Sequence, residues 1–309
     1  MSQHNPGIQP IPHGKRIALV LGSGGARGLA HIGVIRELEA RGYRIETISG
    51  CSMGALVAGL YAAGKLEDYT EWALTLKKYD IFKLLDVGGG SGLIAGNKIM
   101  AKLEEWIADI QIEDLPIPYS AVAVDIERER EVWFNEGPLC DAIRASIAIP
   151  GVFTPHVYRN RVLVDGSVLN PIPVAPTFNR ITDATFVVDA NGPPRGVRPG
   201  EPVETEHDQR PGWFAQAAAK IGWNYEPQEA PPEPEKMGVW RVMERSLDTM
   251  MAALTRHHLA VFQPDMVFRV PRNLYMIHEY HRAEEIIALG QNLARELFDH
   301  PELERNQKM

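Results

Sequence analysis

The stretch Ile48-Ser49-Gly50-Cys51-Ser52-Met53-Gly54-Ala55 constrains the fold of this chain more than any other. It is entered through residues 43–48, where Ile45, Thr47 and Ile48 are β-branched, and left through the small apolar run 55–63. Between them, Gly50-x-Ser52-x-Gly54 has the spacing of a nucleophile elbow, a sharp strand-to-helix turn that lifts one hydroxyl clear of a sheet. Glycine suits the flanking positions because side chains there would strike the neighbouring strand and helix. A tight turn without chemistry uses the same residue types, so this stretch alone supports both readings of Ser52.

A second unit of the same kind precedes it. Residues 16–21 (RIALVL) form a nearly continuous apolar run, as expected of a strand buried on both faces. The run ends in Gly22-Ser23-Gly24-Gly25-Ala26-Arg27-Gly28. Leu29, Ile32, Ile35 and Leu38 then recur at helical spacing, with Gly42 as the stop. Two βα units in succession predict an α/β chain with three layers, a mainly parallel sheet between helices. Further helices are predicted over 67–78, 99–110, 137–148, 239–262 and 279–298, and strands over 119–126, 131–134, 161–164, 184–189 and 265–270. Residues 1–14 read as a loose lead-in and 15–309 as one domain. That domain carries a Pro/Glu-rich insertion around 192–237 and a glycine-rich loop over 86–96. Within the insertion, the aromatic-ended segment 213–223 fits a lid, a core helix or a subunit interface.

Composition narrows the function classes. With 309 residues, 45% hydrophobic and 23% charged, the chain can build a sizeable core. Its net charge of −8 argues against nucleic acid and against electrostatic capture by anionic membranes. No apolar run reaches the roughly 18 residues of a membrane span, and the first residues lack the apolar centre of a signal peptide. Cys51 and Cys140 are too few for a disulfide framework or a metal cluster. The expectation is a cytoplasmic protein without metal or cofactor, compatible with transient contact at a membrane surface and with a homo-oligomer.

The glycine loop invites a dinucleotide reading, which fails on spacing. After Gly22 and Gly24 the third glycine would fall at Arg27, and Gly28 comes one residue late. Glu46 lies inside the second strand instead of at its end. Gly96-Asn97-Lys98 lacks the ending of a phosphate-binding loop. Acyl transfer uses the loop better. Free N–H groups of Gly24 and Gly25 at a helix start would stabilise the negative oxygen of a tetrahedral intermediate, each such donor being worth about 3 kcal/mol. For a base, the histidines after Ser52 (His156, His207, His257, His258, His278, His281 and His300) fall mostly in helices or polar loops. Asp165 ends a strand just before Gly166, which presents a carboxylate at a sheet edge but also fits a plain Asp-Gly turn.

Taken together, Gly22 to Gly28, Gly50-Cys51-Ser52-Met53-Gly54, Ala145-Ser146-x-x-x-Pro150 and Asp165-Gly166-Ser167 resemble the patatin-like phospholipases, in that family's order, across about residues 16–190. The resemblance implies a patatin-like α/β hydrolase fold and a lipid acyl hydrolase of the phospholipase A, lysophospholipase or esterase type. It implies a Ser52–Asp165 dyad with no histidine, and an oxyanion hole framed by backbone nitrogens of Gly24, Gly25 and Ala26. Arg27 would brace the loop or meet a phosphate, with Gly22, Gly28, Gly50, Gly54 and Gly166 in support. Substrates would be phospholipid or other lipid acyl esters. Ser167 departs from the glycine or alanine usual there and could hydrogen-bond near the base. A Ser-His-Asp esterase and a non-catalytic regulatory protein on a hydrolase scaffold are the alternative readings.

Overall fold

The computed structural model describes residues 15–80, 96–196 and 239–301. The lead-in 1–14, the segment 213–223, nearly all of the glycine-rich loop and most of the Pro/Glu-rich insertion lie outside the described residues.

Eight strands form one mixed sheet: β1 (Arg16–Leu21), β2 (Arg44–Cys51), β3 (Tyr119–Asp125), β4 (Arg130–Phe134), β5 (His156–Tyr158), β6 (Arg161–Asp165), β7 (Ala184–Gly192) and β8 (Met266–Pro271). Their order is β5-β6-β3-β2-β1-β7-β8, with β4 branching off β3. The pairings β3–β2, β2–β1, β1–β7 and β7–β8 are parallel. β4 and β6 run antiparallel to β3, and β5 antiparallel to β6. β5 was not among the predicted strands. Three residues of alternating exposure carry no periodic signal.

Alternate side chains of the central strands supply two cores, as the two-residue repeat of a strand requires. Ile17, Leu19, Leu21, Phe186, Val188 and Phe268 face one side, where α1 (Ala30–Ala40), α2 (Met53–Ala62) and α7 (Ala283–Asp299) pack. Val20, Val187 and Val267 face the other, covered by Ile172, Val174 and Leu259 and Phe262 of α6 (Val239–Phe262). The layers are helix, sheet, helix. α3 (Leu66–Thr75), α4 (Asn97–Ile107) and α5 (Leu139–Ser146) complete the helical cover. No helix among the described residues is long and apolar enough to cross a membrane.

α1 and α7 approach to backbone contact. A Cβ on Gly33 would strike the Ile287 carbonyl, and one on Gly290 the Ala30 carbonyl. This pairing locks the segment before α7 against the glycine loop, where the Ala26 N–H donates to the Ile277 carbonyl at 2.8 Å.

Candidate active site

β2 continues past the predicted residue 48 to Cys51, and α2 begins at Met53, so Ser52 is the whole turn. Its backbone sits at φ 56°, ψ −126°, a region that an L residue enters only when its surroundings force it there. The forcing groups are visible. A Cβ on Gly50 would strike the Gly54 carbonyl, and one on Gly54 the Leu21 carbonyl, so strand, turn and helix can close only with glycine at both. Ser146, at the last turn of α5, supplies the remaining restraint. Its buried hydroxyl accepts the Ser52 N–H at 2.9 Å and donates to the Val122 carbonyl of β3 at 2.7 Å.

Strand register brings the carboxylate to the elbow. Cys51 pairs with Val122 in the parallel β2–β3 ladder, and the next β3 residue, Ala123, pairs with Asp165 in the antiparallel β3–β6 ladder. β6 therefore runs back toward the level of Ser52 and stops there. Gly166 lets the chain turn away, since a Cβ on it would strike the Val122 carbonyl. Asp165 is fully buried. Its Oδ1 accepts the Ser167 N–H at 2.8 Å and the Cys51 thiol at 3.7 Å.

Burial raises the Asp165 pKa, and hydrogen bonding from Ser52, from the Ser167 N–H and hydroxyl, and from Cys51 partly opposes it. Ser167, the position that departs from the family's pattern, thus acts directly on this carboxyl. Oδ2 has no hydrogen-bond partner among the described residues. The Ser52 hydroxyl is close enough to the carboxyl to lower its pKa. Burial and the Asp165 carboxyl push the Cys51 thiol well up, which makes it a protonated donor and no nucleophile. His156 is committed to Asp141 at 3.0 Å. Burial lowers the His258 pKa, partly opposed by Glu131 and the Leu169 carbonyl.

The glycine loop enters through the Gly22 N–H, which donates to the Val188 carbonyl at 2.9 Å, and turns into a 3₁₀ segment, Gly25–Leu29. Gly25 has φ +54° and faces Ile277, whose carbonyl a Cβ would meet at 2.6 Å. Gly28 lies against Met53, where a Cβ would come within 2.7 Å of that side chain's own Cβ. The N–H groups of Gly24 and Gly25 have no partner among the described residues, whereas the Ala26 N–H is consumed by Ile277. The Ala26 nitrogen, one of the three that the resemblance puts in the oxyanion hole, is thus already bonded to the segment before α7.

The buried Arg27 guanidinium is spent on the loop, donating to the Gly24 carbonyl at 3.4 Å, the Arg272 carbonyl at 2.9 Å and the Asn191 side-chain oxygen. Burial lowers its pKa to about 10, so it stays cationic at neutral pH. Of the two roles open to Arg27 in the sequence, the geometry fits the brace.

Two further residues were not singled out by sequence. His31 is fully buried on α1, with Nε2 2.8 Å from the Gly22 carbonyl and its pKa lowered by burial to about 4. It is a neutral imidazole under the glycine loop. Its only signal was a polar residue on an apolar helix face. Tyr280, in the 3₁₀ turn before α7, is near enough to Asp165 that the carboxylate, after burial, helps push its pKa up to about 12.

A model of the patatin-like phospholipase family matches residues 19–178. An uncharacterized NTE family protein of Mycobacterium tuberculosis is 38% identical over 334 residues, covering 92% of this chain and 91% of its own length. The human patatin-like phospholipase domain-containing protein 6 is 29% identical over 65% of this chain and 15% of its own length. The lysophospholipase nte1 of Emericella nidulans is 28% identical over 57% of this chain and 12% of its own length. The crystal structure of VipD from Legionella pneumophila superposes with a TM-score of 0.47 at 13% identity, over 94% of this chain and 67% of that one.

Proposed function

Since the chain belongs to the patatin-like phospholipase family, a family of lipid hydrolases, we propose that it cleaves lipid acyl esters through a Ser52–Asp165 dyad and an acyl-enzyme intermediate. The observation that carries this reading is the pairing of a strained, clamped Ser52 with a buried carboxylate whose Oδ2 has no partner among the described residues.

The Ser52 hydroxyl gives its proton to Asp165 Oδ2 as Oγ attacks the ester carbonyl carbon. The raised pKa of Asp165 brings it closer to the alcohol it must deprotonate than a solvated carboxylate would be. Negative charge on the former carbonyl oxygen meets the N–H groups of Gly24 and Gly25, joined by the N–H of Met53. That group opens α2 and, like every first-turn N–H, lacks an intrahelical acceptor. Collapse of the tetrahedral species breaks the ester C–O bond, and the departing alcohol takes the proton from Asp165. Water then attacks acyl-Ser52, passes its proton through Asp165 to Ser52 Oγ and releases the carboxylic acid.

Ser52→Ala and Asp165→Ala are expected to abolish p-nitrophenyl ester turnover while keeping the folded circular-dichroism spectrum. A fluorophosphonate is expected to label wild type at Ser52, located by mass spectrometry. Wild-type turnover by either variant refutes the dyad, and an adduct elsewhere refutes the nucleophile.

A further inference from the structure

The loop Ser23–Arg27 holds, between two ends, the two N–H groups that have no partner among the described residues, and both ends meet at one side chain. Asn191, near the end of β7 and outside the stretch matched by the family model, sends Nδ2 to the Ser23 carbonyl at 2.7 Å and to the Ser23 hydroxyl at 3.3 Å. Its Oδ1 accepts Arg27 Nη2. Its own N–H is anchored on Oδ1 of the buried Asp189 at 2.9 Å. The amide has one workable orientation. The guanidinium only donates and the Ser23 carbonyl only accepts, so turning the amide over would set donor against donor and acceptor against acceptor. Asparagine is the residue of this size that serves both.

We propose that Asn191 is a positioning residue of the oxyanion-binding loop, tying Ser23 to Arg27 so that the Gly24 and Gly25 N–H groups are held in place. Several restraints then act on a five-residue loop: the Asn191 bridge, the Arg27 bond to Gly24, the Ala26 bond to Ile277 and the Ser23 N–H bond to the Pro171 carbonyl. They are needed because Gly25, at φ +54°, loses more conformational freedom on ordering than any other residue type. Donors stabilise a developing oxyanion only if they are already in place, and reorganising them during the reaction forfeits the gain. The Asn191 bridge spans the sheet from the end of β7 to the end of β1, so the loop's order is borrowed from the rigid centre of the fold. The inference rests on the Ser52 hydrolase reading for its catalytic consequence, though not for the loop's order.

The test uses Asn191→Ala, which removes both halves of the bridge, and Asn191→Asp, which keeps an acceptor for Arg27 and loses the donor to Ser23. With a p-nitrophenyl ester, kcat is expected to fall by about 10- to 100-fold in Asn191→Ala, less than the roughly 10²–10³ for outright loss of an oxyanion donor. Asn191→Asp should fall between that variant and wild type. KM should stay within about twofold, because the donors act on the transition state. The fluorophosphonate labelling rate should fall with kcat. By hydrogen–deuterium exchange, the peptide covering Ser23–Arg27 should lose protection while peptides of β2 and α2 keep theirs.

A lower unfolding midpoint with kcat and loop exchange unchanged would make Asn191 merely structural and overturn the proposal. So would wild-type kcat and exchange in both folded variants. If wild type shows no Ser52-dependent turnover, the hydrolase reading fails by itself. Loop exchange still decides whether Asn191 orders the loop.

Discussion

Ser146→Ala removes one oxygen from the centre of the fold and tests how the elbow is held. The hydroxyl is fully buried and joins three elements: it accepts from the Ser52 N–H and donates to the Val122 carbonyl. Deleting it strands a buried N–H at the nucleophile and removes a donor from a buried carbonyl. One unsatisfied buried group costs about 1–3 kcal/mol, so both together reach roughly 2–6 kcal/mol if no water enters. Ser49→Ala is the matched control. Its hydroxyl is equally buried and donates to the Pro173 carbonyl, so its loss leaves one acceptor unpaired and no donor. Equilibrium urea unfolding of Ser146→Ala should show a loss of about 2–6 kcal/mol, against about 1–3 kcal/mol for Ser49→Ala. The kinetic contrast should be sharper. Ser52 sits at φ 56° only because its neighbours over-determine it. Without the Ser146 acceptor the turn relaxes, and kcat for a p-nitrophenyl ester should fall at least about tenfold, while Ser49→Ala stays within about twofold of wild type. If Ser146→Ala unfolds within about 0.5 kcal/mol of wild type and keeps its kcat, the elbow is not held from α5 and the strain argument is wrong.

Two predictions concern protonation. Burial raises the Asp165 pKa and the Ser167 hydroxyl lowers it, so Ser167→Ala should raise it further. The base must be ionised to act, so the acidic limb of kcat/KM against pH should lie above the ordinary carboxylate range in wild type and move higher in Ser167→Ala; an unmoved limb would remove Ser167 from the site's electrostatics. His31 has the opposite sign: its folded pKa is depressed to about 4, below the usual 6.5, so the unfolded chain binds the extra proton. Stability tied to His31 is full above about 6.5 and lost as pH falls toward about 4. His31→Gln, which keeps a donor for the Gly22 carbonyl, should flatten that decline in thermal unfolding measured across the window, and an unchanged slope would refute the assignment.

The sequence by itself determined the local events. Glycine spacing around Ser52, the apolar run of β1 and the Asp165-Gly166 turn are each dictated by sterics or periodicity within a few residues, and the main strands and helices stand near their predicted places. The order of these blocks along the chain carries the family resemblance. Tertiary structure decided the rest, because the deciding interactions join residues far apart in the chain. That β6 runs antiparallel and stops level with Cys51 is a matter of register between β2, β3 and β6, and no local pattern encodes it. The Ala26 N–H looked as available as those of Gly24 and Gly25 until Ile277, some 250 residues later, took it. Arg27 could serve as a brace or a phosphate ligand until the Arg272 carbonyl and Asn191 occupied its fork. A backbone donor's chemistry depends on whether it is already satisfied, and only the packed fold determines that.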